Sequence, residues 1–448
     1  MAMDLNRLAF AYGVYFPVLY ARREPVKRYL AELSETQWTP RAALEDLQRR
    51  KLERLLHAAR THVPFYRDRI HDDRQPLSSV PFLRKADLQA SATALCNAAS
   101  TGPFTIKTTG GSTGQAVTVR KSRDATARET AAQWRGFGWA GVRVGDRQAR
   151  FWGVPFAPRD RLRARLADVL GNRRRCSAFA FTEADLARYT RMLNAFQPRY
   201  LYGYVSMIEQ YAQYVIDRGI DLAYRPVAVI TTSEVLTPTS RQRLQDAFGC
   251  RVFNEYGCGE LGTIAHECER GQLHVNAENL VVEVLDGERP CAAGETGEIV
   301  VTELNNTAMP LIRYRLGDFG ALSDSACECG RTLPVLETVV GRGYDLVYNR
   351  EGRMFHGEFF MYMFEEARRR GQGVKAFQVV QESYDRFTIR IVPGDGYGEG
   401  TREIVRTRVR EGYGADVEIA FVEVDEIARR ASGKMQLIVG MTPLEARA

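Results

Sequence analysis

Between Glu24 and Arg69 the leucines Leu30, Leu33, Leu44, Leu47, Leu52, Leu55 and Leu56 recur at three- and four-residue spacings with arginines and glutamates between them. That is the period of helices with one buried face. Pro64 closes the pattern, because its ring disfavours helical geometry at the residue before it. Leu77 to Asp87 reads as a loop leading to a helix. Upstream, Leu8 to Tyr20 is apolar but is interrupted by Pro17 and followed by Arg22 and Arg23. It is shorter than the roughly eighteen residues a membrane span needs, so an amphipathic helix packed on the body is expected, with attachment to a membrane surface as the alternative.

From Asp124 to Thr231 helical patterns alternate with short apolar runs such as Tyr200-Leu201-Tyr202 and Val227 to Thr231. This predicts an α/β body with a parallel sheet, whose ligands gather at the loops beyond the strand ends. Ser233-Glu234 and the stretch Asn254 to Glu260 both follow such runs. A glycine-rich element lies between the β-like runs Phe104-Thr105-Ile106 and Ala116 to Val119. Leu280 to Leu322 has the alternation of a β region. Beyond Gly341-Arg342-Gly343-Tyr344-Asp345 a small α/β unit is expected, with helices near 357–370 and 401–411 and strands near 376–381, 387–392 and 417–422. The expected division is a large domain over 1–344, with a helical lead-in over 1–75, and a small domain over 345–448.

Composition narrows the class. The 448 residues exceed one ordinary core, and 45% apolar with 26% charged residues is the balance of a folded globular chain. The net charge is +7, but apart from Arg159 to Arg175 and Arg368 to Arg370 the arginines are dispersed. No basic stripe interleaves with aromatics, which argues against a nucleic-acid partner, whereas a mild positive field suits anionic small substrates. The start, Met1 to Arg7, lacks a basic secretory region, so a cytoplasmic, reducing setting is expected, in which the eight cysteines point to metal or catalysis rather than disulfides.

Seven lysines stand against fifty-five arginines. Lys434, in Ser432-Gly433-Lys434, is therefore a notable choice of a compact, mobile cation. Thr109, Gly110, Gly111, Ser112, Thr113 and Gly114 form a loop whose backbone N–H groups could approach a phosphate closely. It is not a Walker A loop, because Gln115 stands where lysine would follow. Cys268, His274, Cys327 and Cys329 can supply the four ligands of a closed tetrahedral zinc site, with His266 or Cys258 as possible substitutes.

Taken together, these motifs resemble the adenylate-forming superfamily, specifically its phenylacetate-CoA ligase and CapK-like branch. Thr109 to Ala116 is similar to the family's phosphate loop, although Ala116 replaces a usual proline and Gly110 a common serine or threonine. Ser233-Glu234 resembles the adenine-contacting turn, and Glu255-Tyr256-Gly257-Cys258-Gly259-Glu260 the segment whose aromatic stacks on adenine and whose final glutamate helps to hold magnesium. Asp318, in Arg313 to Asp318, resembles the ribose-binding aspartate. Gly341 to Asp345 resembles the interdomain hinge, with Asp345 as the hinge residue and Arg342 as a nucleotide-binding residue, and Lys434 matches the catalytic lysine of the small domain. The cysteine and histidine elements resemble those of close relatives.

The resemblance implies ATP and magnesium, structural zinc, and activation of a carboxylic acid, aryl or otherwise apolar, to an acyl-adenylate. It places the acid pocket near Trp152, Tyr202, Gly203, Tyr204 and Asn254. Coenzyme A is the acceptor the branch implies. Asp345 to Gly352 lacks the asparagine-valine-phenylalanine-proline signature of typical phenylacetate ligases, which leaves an amine, a carrier-protein thiol or adenylyl transfer open. A nucleotide-binding scaffold without turnover is the alternative of a different class.

Overall fold

The computed structural model describes residues 5–109, 117–153, 158–177, 182–234, 236, 238–340, 347–348, 354–355, 360, 363–364, 366–367, 370–414, 416–427 and 438–439. Leu5 to Ala21 is helical throughout, with one wide π turn at Ala11–Tyr15 just ahead of Pro17, whose missing N–H cannot close an ordinary helical bond. Leu19, with Val26, Tyr29 and Leu33 of the next helix, buries itself against Ala127, Ala131 and Ala132. Leu5, Tyr12 and Tyr20 remain exposed. Among the described residues no helix is long and apolar enough to cross a membrane. The leucine repeat forms the helices Val26–Thr36 and Arg41–His62.

A hairpin of β1 (Phe104–Thr109) and β2 (Val117–Ser122) flanks the glycine-rich loop. Twelve further strands make one sheet: β3 (Gln148–Trp152), β4 (Arg173–Ser177), β5 (Tyr200–Tyr204), β6 (Ala228–Thr232), β7 (Arg251–Cys258), β8 (Gly262–Glu267), β9 (Leu273–Val275), β10 (Leu280–Asp286), β11 (Arg289–Pro290), β12 (Gly297–Glu303), β13 (Tyr314–Ser323) and β14 (Val335–Val340). Their order is β11-β10-β12-β13-β14-β9-β8-β7-β6-β5-β3-β4. From β4 to β7 the strands are parallel and joined by helices, as the alternating pattern predicts. From β7 to β11 neighbours are antiparallel.

The two halves have different cores. Leu55, Leu56, Tyr66, Ile264, Val301, Ile312 and Tyr314 pack between the helix Arg41–His62 and the antiparallel half. Phe151, Leu193, Leu201, Ile208, Tyr211 and Val229 fill the parallel half. After β3 the chain goes to β4 on one side and then to β5 on the other, so a topological switch point lies between β3 and β5. In open α/β sheets that is where a crevice opens beyond the strands' C-terminal ends.

Further along come the pair β15 (Val347–Tyr348) and β16 (Met354–Phe355), then β17 (Val374–Ser383), β18 (Arg386–Pro393), β19 (Glu418–Glu423) and β20 (Ile438–Val439). The last four form a sheet in the order β19-β18-β17-β20. Phe364, Phe377, Phe387 and Ile389 build a separate core with Val405 and Val409 from the helix Glu399–Tyr413. Strands β17, β18 and β19 and the helix Glu399–Tyr413 fall within one or two residues of where the sequence places them, β15, β16 and β20 were not expected, and most of the helix expected near 357–370 lies outside the described residues.

Candidate active site

A cleft of about 1370 Å³ opens at the C-terminal ends of the parallel strands. It brings together Trp152, Tyr202, Tyr204, Ser233, Glu234, Asn254, Glu255, Tyr256, Gly257, Glu260 and Asp318, residues separated by up to 166 positions in the chain. Ser233 follows β6 directly with φ of 70°, a left-handed conformation costing a non-glycine residue about 1 kcal/mol. Such a turn persists only where its surroundings impose it.

The segment Asn254 to Cys258 is not a loop beyond a strand, as the sequence suggested. It is the C-terminal part of β7 itself, hairpinned onto β8 with a register shift at Tyr256/Gly257. A Cβ at Gly257 would lie 2.4 Å from the Gly262 carbonyl oxygen, so the close turn requires glycine there. The hairpin carries Tyr256 over to β13, where its hydroxyl donates to Asp318 Oδ2 at 3.0 Å. Tyr314, also on β13, donates to Glu260 Oε1 at 3.3 Å.

On the parallel side, Trp152 stacks on Tyr202 with ring centroids 5.7 Å apart and meets Tyr204 at 4.5 Å. Gly203, between the two tyrosines, lets β5 close on β3, since a Cβ there would lie 2.0 Å from the Phe151 carbonyl oxygen. It shapes the wall without lining the cleft. Gln133 Nε2 donates to Glu255 Oε1 and to Tyr202 Oη, each at 3.2 Å. Burial pushes the Glu255 carboxyl up to about 7, against the lowering pull of hydrogen bonds from Tyr202, Gln133 and Thr263.

His266 lies behind this wall, 2.6 Å from Thr263 Oγ1. Burial holds its ring neutral, with the pKa down to about 3.

Cys268 Sγ lies 3.7 Å from Cys327 Sγ, and Cys329 Sγ 3.3 Å from His274 Nε2. The four ligand atoms all fall within 4.8 Å of one another. Zinc–sulfur bonds of about 2.3 Å in a tetrahedron require sulfur pairs about 3.8 Å apart, so the donor set fits zinc. His274 Nδ1 is 3.1 Å from the Leu333 carbonyl oxygen, to which its N–H would donate, leaving Nε2 free to ligate. Neither His266 nor Cys258, the substitutes considered, belongs to the cluster.

Thr109 ends β1, whose Lys107 and Thr108 line the cleft. Gly110, Gly111, Ser112, Thr113, Gly114, Arg342, Asp345 and Lys434 lie outside the described residues. Motif reading missed Arg150, Gln133, Lys85, Lys107 and Glu129, all of which line the cleft. Lysine scarcity could have found two of them. Lys107 pairs with Glu129 Oε1, and buried Lys121 reaches Glu129 Oε2 at 2.7 Å and Glu303 Oε1 at 2.8 Å, tying the β1–β2 hairpin to the body. Burial opposes the charge on Lys121, but the two carboxylates outweigh it and raise its pKa.

Residues 347–440 match the CapK C-terminal domain family. Protein CapK of Staphylococcus aureus is 31% identical over 183 residues, which covers 39% of this chain and 38% of that protein. The phenylacetate-coenzyme A ligase of Thermus thermophilus is 23% identical over 91% of this chain and 98% of its own length. The crystal structure of a 2-hydroxyisobutyryl-CoA ligase with an acyl-AMP adduct has the same fold, with a TM-score of 0.58 at 20% identity over 91% of this chain and 92% of that one. The chain is therefore similar over most of its length to a coenzyme A ligase and shares the fold of another.

Proposed function

We propose that this protein activates a carboxylic acid with ATP, forming an acyl-adenylate and pyrophosphate, and then passes the acyl group to coenzyme A. The observation that carries the reading is the meeting, in one cleft, of the Ser233-Glu234 turn, the Tyr256–Asp318 pair and Glu260 with an aromatic-walled pocket at the switch point.

A carboxylate oxygen attacks the α-phosphorus, and the bond to pyrophosphate breaks. The transition state is rich in negative charge, so catalysis is largely positioning plus cations. Asp318 would accept hydrogen bonds from the ribose hydroxyls, and Tyr256 would lie against the base. Glu260 would hold magnesium, which neutralises phosphate charge when bound. Lys434 would meet the α-phosphate and incoming carboxylate.

We place the domain boundary at Tyr344, with 1–344 as the adenylation domain and 345–448 as a mobile unit that turns about Asp345 and withdraws Lys434 after adenylation. Coenzyme A is favoured as acceptor because the Thermus relative is a coenzyme A ligase and solved neighbours hold an acyl-AMP adduct together with coenzyme A. Zinc on Cys268, His274, Cys327 and Cys329 would tie the end of β8 and strand β9 to the loop between β13 and β14. Incubation with ATP, magnesium, an acid panel and either coenzyme A or amines, with products weighed by mass spectrometry, tests the assignment. Acyl-CoA plus AMP supports it, and amide or acyl-AMP alone with coenzyme A present overturns the acceptor.

A further inference from the structure

Among the described residues, Arg150 differs from the buried arginines Arg135 and Arg313. Arg135 is fully buried and binds Glu278 Oε1, Asn276 Oδ1 at 2.9 Å and the Leu33 carbonyl. Arg313 pairs with Glu283 and donates to two backbone carbonyls. Each has the polar partners that a guanidinium removed from water requires. Arg150 lies on β3 and lines the cleft. Its guanidinium packs 4.6 Å over the Trp152 ring and 5.5 Å over the Tyr202 ring. Its Nε is buried without a hydrogen-bond partner, as is that of Arg135, but unlike Arg135 and Arg313 it has no carboxylate or other acceptor on its remaining N–H groups among the described residues.

The nearby acids are engaged elsewhere. Asp168 takes Arg173 at 2.6 Å and Arg175 at 2.9 Å. Glu255 is held by Gln133, and the effect of Arg150 on it ranks behind burial and the hydrogen bonds. Burial, with Arg173 and Arg175 adding to it, lowers the Arg150 pKa only to about 10, so the group stays cationic at neutral pH. Stacking uses the faces of a guanidinium and leaves its N–H edge for an acceptor in the plane.

Register sets the depth. Arg150 is level with Tyr202, Ile230 and Phe253, while Trp152, Tyr204, Thr232 and Glu255 form the rank two residues nearer the strand ends. Two residues of strand span about 6.6 Å. The nucleotide motifs lie at or beyond the upper rank, so the carboxylate that meets the α-phosphate must be there too. The Arg150 backbone lies one rank deeper, and its side chain reaches back so that the guanidinium sits against the Trp152 and Tyr202 rings, on the inner wall below the strand ends.

We propose that Arg150 binds a second anionic group at the far end of the acid, so that the substrate is a dicarboxylate or similarly bifunctional acid whose middle lies against Trp152 and Tyr202. The inference rests on the acid-activating reading above and narrows its substrate class from apolar to bifunctional acids.

The test compares matched acids, 4-carboxyphenylacetate with 4-methylphenylacetate and adipate with hexanoate, in pyrophosphate exchange by the intact protein and by Arg150→Met and Arg150→Lys. The expected result is at least a tenfold preference in kcat/KM for one of the diacids, collapsing by a factor on the order of ten to a hundred in Arg150→Met and partly restored in Arg150→Lys. A neutral acid preferred in both pairs, or a ratio unmoved by Arg150→Met, overturns the proposal. That includes the case in which both members of a pair lose equally, because Arg150 would then hold the reacting carboxylate. Melting temperature with each acid and no ATP separates this claim from its parent. If no acid supports exchange, the acid-activating reading fails. A diacid-dependent rise in melting temperature that Arg150→Met abolishes then still supports the anion site, and its absence overturns it.

Discussion

The parallel and antiparallel halves of the twelve-stranded sheet meet at β7 and contribute to the cleft differently. The antiparallel half offers Asp318 on β13, Glu260 in the β7–β8 turn, and the cysteine and histidine cluster between β8, β9 and the β13–β14 loop, each carried by a short sequence motif. The parallel half offers Trp152, Tyr202, Tyr204 and Arg150 from strand faces, placed by register between segments far apart in sequence. Under the proposed function the first half handles the nucleotide and the second the acid. Nucleotide handling can be built from turns because phosphate, ribose and metal are recognised by backbone and single carboxylates. Acid handling needs a shaped cavity.

That division can be broken experimentally. The largest expected effect is on the metal cluster, which serves only the antiparallel half. Metal analysis should give one zinc per chain, and Cys329→Ser should lose it with a stability loss of about 4 kcal/mol or more, read by denaturant unfolding. Next is Lys434→Ala, expected to lower adenylation kcat by roughly 10²–10³ while ATP still binds, as titration of nucleotide would show.

Smaller and more diagnostic is Asp318→Ala against Tyr202→Phe. The former should raise the KM for ATP by about tenfold to a hundredfold and leave the KM for the acid nearly alone, and the latter should do the reverse by a few fold. Equal shifts in both constants for either variant would dissolve the division.

The last prediction is the pH signature of Glu255, which bears on the acid side alone. Its carboxyl is raised in the folded state to about 7 from the ordinary 4.5, so the folded chain holds a proton that the unfolded chain has released. Stability is therefore fullest below about 4.5 and is lost as pH rises toward 7, by up to about 3 kcal/mol. Glu255→Gln should flatten that decline, and melting curves at pH 5 and 8 would show a smaller gap between the two pH values than in the parent.

The sequence disclosed the antiparallel half far better than the parallel one, for the same physical reason. Tyr256-Gly257-Cys258-Gly259-Glu260 is local, and its glycine is demanded by contact with Gly262. Arg150 is one arginine among fifty-five, set in the ordinary-looking strand Gln148 to Trp152. That no acceptor bonds it among the described residues is a fact of three dimensions. Gln133 lies on the helix Arg123–Trp139, where nothing in the helical period marks it as a ligand of Glu255. Element order was readable because alternating patterns and proline breaks act over a few residues. The strand pairing that joins β14 to β9, and so carries Cys327 and Cys329 toward Cys268, acts over about sixty and was not readable.

The central claim is tested most directly by acid-dependent exchange of labelled pyrophosphate into ATP by the intact protein with magnesium, over a panel of mono- and dicarboxylic acids. The account predicts exchange with at least one acid, lost in Lys434→Ala. No exchange with any acid, in protein that still binds ATP, would contradict it.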